Sequence, residues 1–140
     1  MLRKILFSGE SGLSVTANAG LALLRIFTGI ALMMAHGLGK VPPSAQFIER
    51  TAQMGFPAPA FFSWAAAFAE TAGGVLLAIG LFTRWASFLI VCTMLTALTQ
   101  VHYADPFQRQ ELPLLYFFIA FAFLLKGSGD WSIDGIMRRR

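Results

Sequence analysis

Cysteine is nearly absent from this sequence: its 140 residues hold one, Cys92. That excludes an intrachain disulfide and the paired-cysteine motifs that hold structural zinc, iron–sulfur clusters or attached haem. Charge is also scarce, at 13% of residues, where soluble chains carry about a quarter. No repeat, low-complexity tract or long linker divides the chain, so the expectation is one domain over residues 1–140. What fills the chain is apolar: 56% hydrophobic residues, including fourteen Phe, with a mean hydropathy of +0.65. A soluble helical bundle of this length would need more polar surface to stay monomeric. The net charge of +4 does not indicate nucleic acid, because the positive residues flank apolar segments, where they report membrane topology.

The longest apolar stretch is PAFFSWAAAFAETAGGVLLAIGLFTR, from Pro59 to Arg84. Between Ala60 and Phe82 its one charge is Glu70. At 1.5 Å per residue this is long enough to cross a hydrocarbon core of roughly 30 Å. Small residues crowd the acid, and the Gly73–Gly74 pair reads as a place where another helix comes close. A lone carboxylate at that depth needs a partner or a proton.

Three further apolar stretches complete an all-α, four-helix integral membrane bundle, with spans expected at 19–38, 60–82, 85–103 and 112–125. The last run is short and is expected to borrow a turn from its loop. A short surface helix is expected between Ser44 and Met54, and a tight connection at Arg84. Residues 1–18 carry Arg3 and Lys4, but Ser8, Gly9, Glu10, Ser11 and Gly12 interrupt any apolar run. They read as an N-terminal cytoplasmic segment and not a cleaved signal peptide. Residues 126–140 form a basic tail with an interfacial Trp131. Four spans put Arg3, Lys4, Arg84, Lys126, Arg138, Arg139 and Arg140 on one side, which the positive-inside rule makes cytoplasmic for both termini.

Within this topology Arg25 lies about two turns from the cytoplasmic face and Glu70 near the middle. An unpaired charge in hydrocarbon costs at least about 2.5 kcal/mol, so an Arg25–Glu70 pair is expected. It would serve either as a lock between two helices or as part of a site. Arg25 and His36, eleven residues apart, share a helix face. The outer half collects His36, Lys40, His102 and Glu111, with Thr99 and Gln100 one turn away. Together they would line a polar pocket opening outward and closed at depth by Arg25 and Glu70, or else be ordinary residues at helix ends. Glu70, His36, His102 and Glu111 are the proton-handling candidates; Arg25, Lys40, Thr99 and Gln100 are the ligand-binding ones. Ligation of haem or a metal by His36 and His102 is a further alternative, but two isolated histidines lack ligand spacing and no metal is assigned. Cys92 reads as a buried small hydrophobe, and the runs at Phe61–Phe62 and Phe117–Phe118 as lipid-facing or packing surface.

In order, LLRIFTGIALMMAHGLGKV, FAETAGGVLLAIGLFTRWA, MLTALTQVHYADPF and ELPLLYFFIAFAFLLKGSGDWSIDG resemble the DoxX family of small bacterial membrane proteins. The matching pieces are Arg25, His36-Gly37 with Lys40, Glu70 with Gly73 and Gly74, His102, Glu111, and Gly127, Gly129, Ser132 and Asp134. The resemblance implies a four-helix protein of the bacterial cytoplasmic membrane. It also implies a redox setting: the family is named for a component of a quinol oxidase. Similar proteins belong to a thiosulfate:quinone oxidoreductase or to oxidative-stress and thiol-redox assemblies. The resulting expectation is a membrane subunit that handles a quinone or another small apolar redox partner near the outer leaflet. The chain shows no flavin, haem or iron–sulfur motif, so an electron-carrying partner protein is implied. A small-solute carrier acting as a homo-oligomer and a non-catalytic membrane scaffold remain alternatives.

Overall fold

A computed structural model describes residues 12–139, and the expectations for Arg3, Lys4, the interrupted run at residues 8–11 and Arg140 lie outside them. Helix α1 (Val15–Leu32) starts where the Ser14 hydroxyl accepts the Ala17 amide at 3.2 Å. It continues through a π-helical turn, Met33–Gly37, and a 3-10 turn, Leu38–Lys40. Helix α2 (Ala45–Gln53) is capped by Ser44 and lies against α3 (Pro59–Ile79). Helix α4 (Thr83–Thr96) ends in a second π-helical turn, Ala97–Val101. Helix α5 runs Phe107–Lys126 and helix α6 runs Ile133–Arg139. No strand occurs among the described residues.

Val15–Lys40, Pro59–Ile79 and Thr83–Val101 are each long and apolar enough to cross a membrane. Helix α5 is 20 residues long, and its polar first turns lead into an apolar stretch beginning at Leu112. It therefore takes in part of the loop expected before residue 112. The second span stops earlier than residue 82, because Gly80 adopts φ +70° and ends α3 in the left-handed conformation.

The helices alternate in direction. Helix α1 packs on α3, α3 on α4 and α4 on α5, while α1 and α5 touch over a smaller area. Leu32, Leu77, Ile90, Met94, Tyr116, Ala120 and Phe123 form the shared core. The outside is as apolar as the inside: Phe27 is 73% exposed, Leu23 70% and Phe118 62%. Large apolar side chains stand outward on all four long helices, which suits hydrocarbon and not water. This is a helical membrane bundle.

At one end of the bundle the α3–α4 turn is held from outside its own sequence. The buried Arg25 guanidinium donates through Nη1 to the carbonyls of Leu77 (3.2 Å) and Ala78 (2.9 Å), and through Nη2 to that of Trp131 (2.9 Å). Leu77 and Ala78 belong to the last turn of α3, where carbonyls lack their usual intrahelical amide; Leu77 also accepts the Gly80 amide at 3.1 Å. Asp134 does the converse for α4, accepting the amides of Phe82 (2.8 Å) and Thr83 (2.9 Å). A cation therefore caps a helix C-terminus and an anion a helix N-terminus, both favourable with the helix dipoles. Ser132 and Gly135 knit the segment before α6, where a Cβ on Gly135 would collide with the Asp130 carbonyl oxygen. The basic tail is thus a folded clasp.

Asp130 completes the clasp. Its backbone amide donates to Asn18 Oδ1 at 2.8 Å, and its Oδ2 accepts from Asn18 Nδ2 and the Leu13 amide, each at 3.2 Å. The Asn18 hydrogen bond is the main reason the carboxyl sits below the usual aspartate range. The Leu13 amide, Arg139 and Arg138 add to the effect, against an opposing desolvation. A depressed folded value means that this stabilisation is complete above the unfolded value of about 3.9 and is lost as pH falls through the lower folded value. Followed by NMR, the Asp130 carboxyl is expected to titrate below that reference, and Asn18→Ala to move it back up. A midpoint unmoved by Asn18→Ala would remove Asn18 as the cause.

Candidate functional site

The Arg25–Glu70 pair expected from the sequence does not form. Helices α1 and α3 run antiparallel with Gly29 against Gly74 and Gly37 against Thr71. That register puts Arg25 beside Leu77 and Ala78, about 10 Å along the helix from Glu70 at 1.5 Å per residue. Glu70 faces the far end of the first span instead. Lys40 Nζ approaches its Oε2 at 2.6 Å and its Oε1 at 2.8 Å. The carboxylate is buried, whereas the Lys40 side chain is 34% exposed and lies over the Phe47 ring, 5.6 Å from its centroid. Lysine reaches that depth because its four-carbon stem can lie along apolar surface while its ammonium stays hydrogen-bonded.

This ion pair borders a cavity of about 290 Å³ between α2, α3 and α4. Phe47, Phe56, Phe62 and Leu89 give it apolar walls, and Thr51, Cys92, Thr93 and Thr96 add polar atoms. The Thr93 and Thr96 hydroxyls donate to the carbonyls of Leu89 and Cys92, so their lone pairs remain as acceptors. Helix α2 closes one side, fixed by a buried Ser63–Thr51 hydrogen bond of 2.9 Å and by the Phe56–Phe62 ring contact, centroids 4.6 Å apart.

Of the outer-half set, Lys40 lines this cavity, beside Glu70, and the others do not. His36 stands edge-on to Tyr116, ring centroids 5.6 Å apart. His102 meets Asp105 through Nδ1 at 2.7 Å, and Gln110 Nε2 donates to the carbonyls of both residues. Glu111 is exposed on α5. Thr99 and Gln100 are exposed, and the Thr99 hydroxyl turns back to the Leu95 carbonyl. Thr99 and Gln100 lie within a π-helical turn, which changes the helix phase locally, whereas Glu111 lies on a separate helix beyond the 102–106 loop. The turn at Met33–Gly37 separates the face of Arg25 from that of His36, and the one at Ala97–Val101 brings Val101 to the cavity in place of Gln100.

The packing glycines also divide. Gly74 backs onto α1, while Gly73 faces Ile90 of α4. Cys92 is exposed and lines the cavity, so it is not the buried hydrophobe expected, and Phe62 is a cavity wall as well as packing surface. Sequence reasoning missed the α2 contribution. The cluster Cys92, Thr93, Thr96 in an apolar span was the available signal for the α4 wall. Among the described residues no three His, Cys, Asp or Glu side chains group so as to hold a metal ion.

The DoxX family model matches residues 20–103, which include Arg25, Lys40, Glu70 and the whole cavity lining. The chain belongs to the DoxX family. A DoxX relative from Bacillus subtilis (strain 168), named "Putative oxidoreductase CatD", is 32% identical over 116 residues. Those residues cover 82% of this chain and 84% of the relative. No solved structure matches the chain.

Proposed function

We propose that this DoxX protein binds a quinone or hydroquinone ring in the Lys40–Glu70 cavity, as a membrane subunit of a redox system in the bacterial inner membrane. The observation that carries the reading is a buried carboxylate paired with a partly exposed ammonium at one side of an aromatic-walled cavity. A flat ring with oxygens at its edge matches both halves of that surface. Lys40 donates to a ring oxygen and stabilises negative charge on it. Glu70 accepts the proton of a ring hydroxyl or returns it. Oxidation of a hydroquinone releases two protons and two electrons. This chain supplies a proton acceptor, and the electrons pass to a partner protein or a second ligand. The name of the Bacillus relative favours a redox role over a carrier.

Native mass spectrometry of the detergent-purified protein tests the reading. Quinone is expected on the wild type and absent from Glu70→Gln and Lys40→Met. Each variant loses a charge-assisted contact, with about 10- to 100-fold weaker binding measured by titration. Wild-type affinity in both variants would remove the ion pair from the site. A scaffold is the second reading, favoured by the wholly architectural use of Arg25 and Asp134. Partner retention by both variants with no ligand on the wild type would support it.

A further inference from the structure

We propose that the cavity is loaded from the bilayer, and that its ligand carries a hydrocarbon tail leaving through a portal between α3 and α4. This inference rests on the ring-binding reading and adds the route and the class of ligand. The lining residues that are also exposed are Ala65, Leu89, Cys92 and Val101, one on α3 and three on α4 or its π-helical extension. None is on α2. Both helices are long and apolar enough to span a membrane, so this rim opens onto the surface that meets lipid tails. The opposite side is covered. Helix α2 turns Phe47, Thr51 and Met54 to the cavity and leaves Gln46, Glu49, Arg50 and Gln53 exposed, as a helix does when one side meets water.

Volume gives the ligand class. A cavity of about 290 Å³ lies at the small end of the roughly 300–1,000 Å³ usual for ligand pockets. It holds a ring and little more. A membrane-dissolved ligand seated by its ring on Lys40 and Glu70 must therefore project its tail out of the cavity, and the apolar rim at Leu89 and Cys92 is where that tail meets hydrocarbon.

The test uses the full-length protein in lipid nanodiscs and a benzoquinone carrying a decyl tail with a diazirine at mid-tail. Crosslinks mapped by mass spectrometry are expected on Ala65, Leu89 and Cys92. Leu89→Trp, which fills the rim, is expected to weaken the tailed probe about tenfold more than it weakens a tailless benzoquinone. Crosslinks on Glu49 or Gln53 of α2 would overturn the portal, and so would equal binding of the tailed probe to Leu89→Trp. A tailless ring that binds the wild type when the tailed probe does not would sink the portal and leave the ring site standing. No binding of either probe would sink both.

Discussion

Gly29→Ala and Gly74→Ala are each expected to destabilise the protein by about 3 kcal/mol or more, while Gly73→Ala, one residue away, is expected to be neutral or mildly stabilising. The difference lies in what a new methyl group would strike. A Cβ on Gly29 would collide with the Gly74 carbonyl oxygen and lie 2.7 Å from the Ala78 amide nitrogen. On Gly74 it would lie 2.7 Å from the Gly29 carbonyl oxygen. Both obstacles are backbone, so no rotamer change relieves them and the two helices must separate. On Gly73 the nearest atom is Ile90 Cγ1 at 3.6 Å, an ordinary contact, and alanine is the better helix former. Separating α1 from α3 also withdraws Lys40 from Glu70, because the same interface carries both. Thermal unfolding in detergent should therefore give well-separated midpoints for Gly73→Ala and Gly74→Ala, and coincident midpoints would contradict this packing.

That contrast shows what sequence could and could not convey. The Gly73–Gly74 pair announced a close approach, since small residues in a membrane helix have few other uses. Which glycine faces which neighbour depends on how the helices dock, and elsewhere in the chain helix phase was lost at two places. Nothing in MMAHG or ALTQV marks a π-helical turn, yet each rotates the residues beyond it. The four long helices were legible because apolar length is read directly from composition, and Ser44 marked the start of α2 through its capping chemistry. Pairing of the buried charges was not legible. Depth alone made Arg25 and Glu70 look like partners, but the antiparallel register offers Arg25 a set of orphan carbonyls and gives Glu70 to Lys40. The tail's folded order was not legible, because it comes from Asn18, Asp130 and Asp134 meeting groups more than fifty residues away in the chain.

The Lys40–Glu70 pair joins the two levels of the molecule. Lys40 ends the first span just after its π-helical turn, so its position depends on that turn and on the Gly37–Thr71 contact one level deeper. The cavity's polar side is therefore set by the α1–α3 interface, its walls by α2 and α4. Seating an amphipathic ring at such a seam uses both faces without breaking a helix.

Arg25→Met is expected to cost at least about 3 kcal/mol, because it removes three charge-assisted hydrogen bonds, taking this donor from the Ala78 and Trp131 carbonyls and leaving Leu77 with the Gly80 amide alone. Arg25→Lys is expected to recover part of this and no more. A single ammonium can reach the end of α3 or the Trp131 carbonyl, but lacks the planar fork that serves both. Asp134→Asn should cost about 1–2 kcal/mol, since an amide keeps one acceptor oxygen for two amide donors. The decisive measurement is the double variant Arg25→Met with Glu70→Gln. Were the two charges partners, removing both would cost far less than the sum of the single changes. In this fold they make separate contacts with no shared partner, about 10 Å apart along α3, so the effects should add to within about 0.5 kcal/mol. A coupling well above 1 kcal/mol would put the two charges back in contact and remove the basis for assigning Glu70 to the Lys40 cavity.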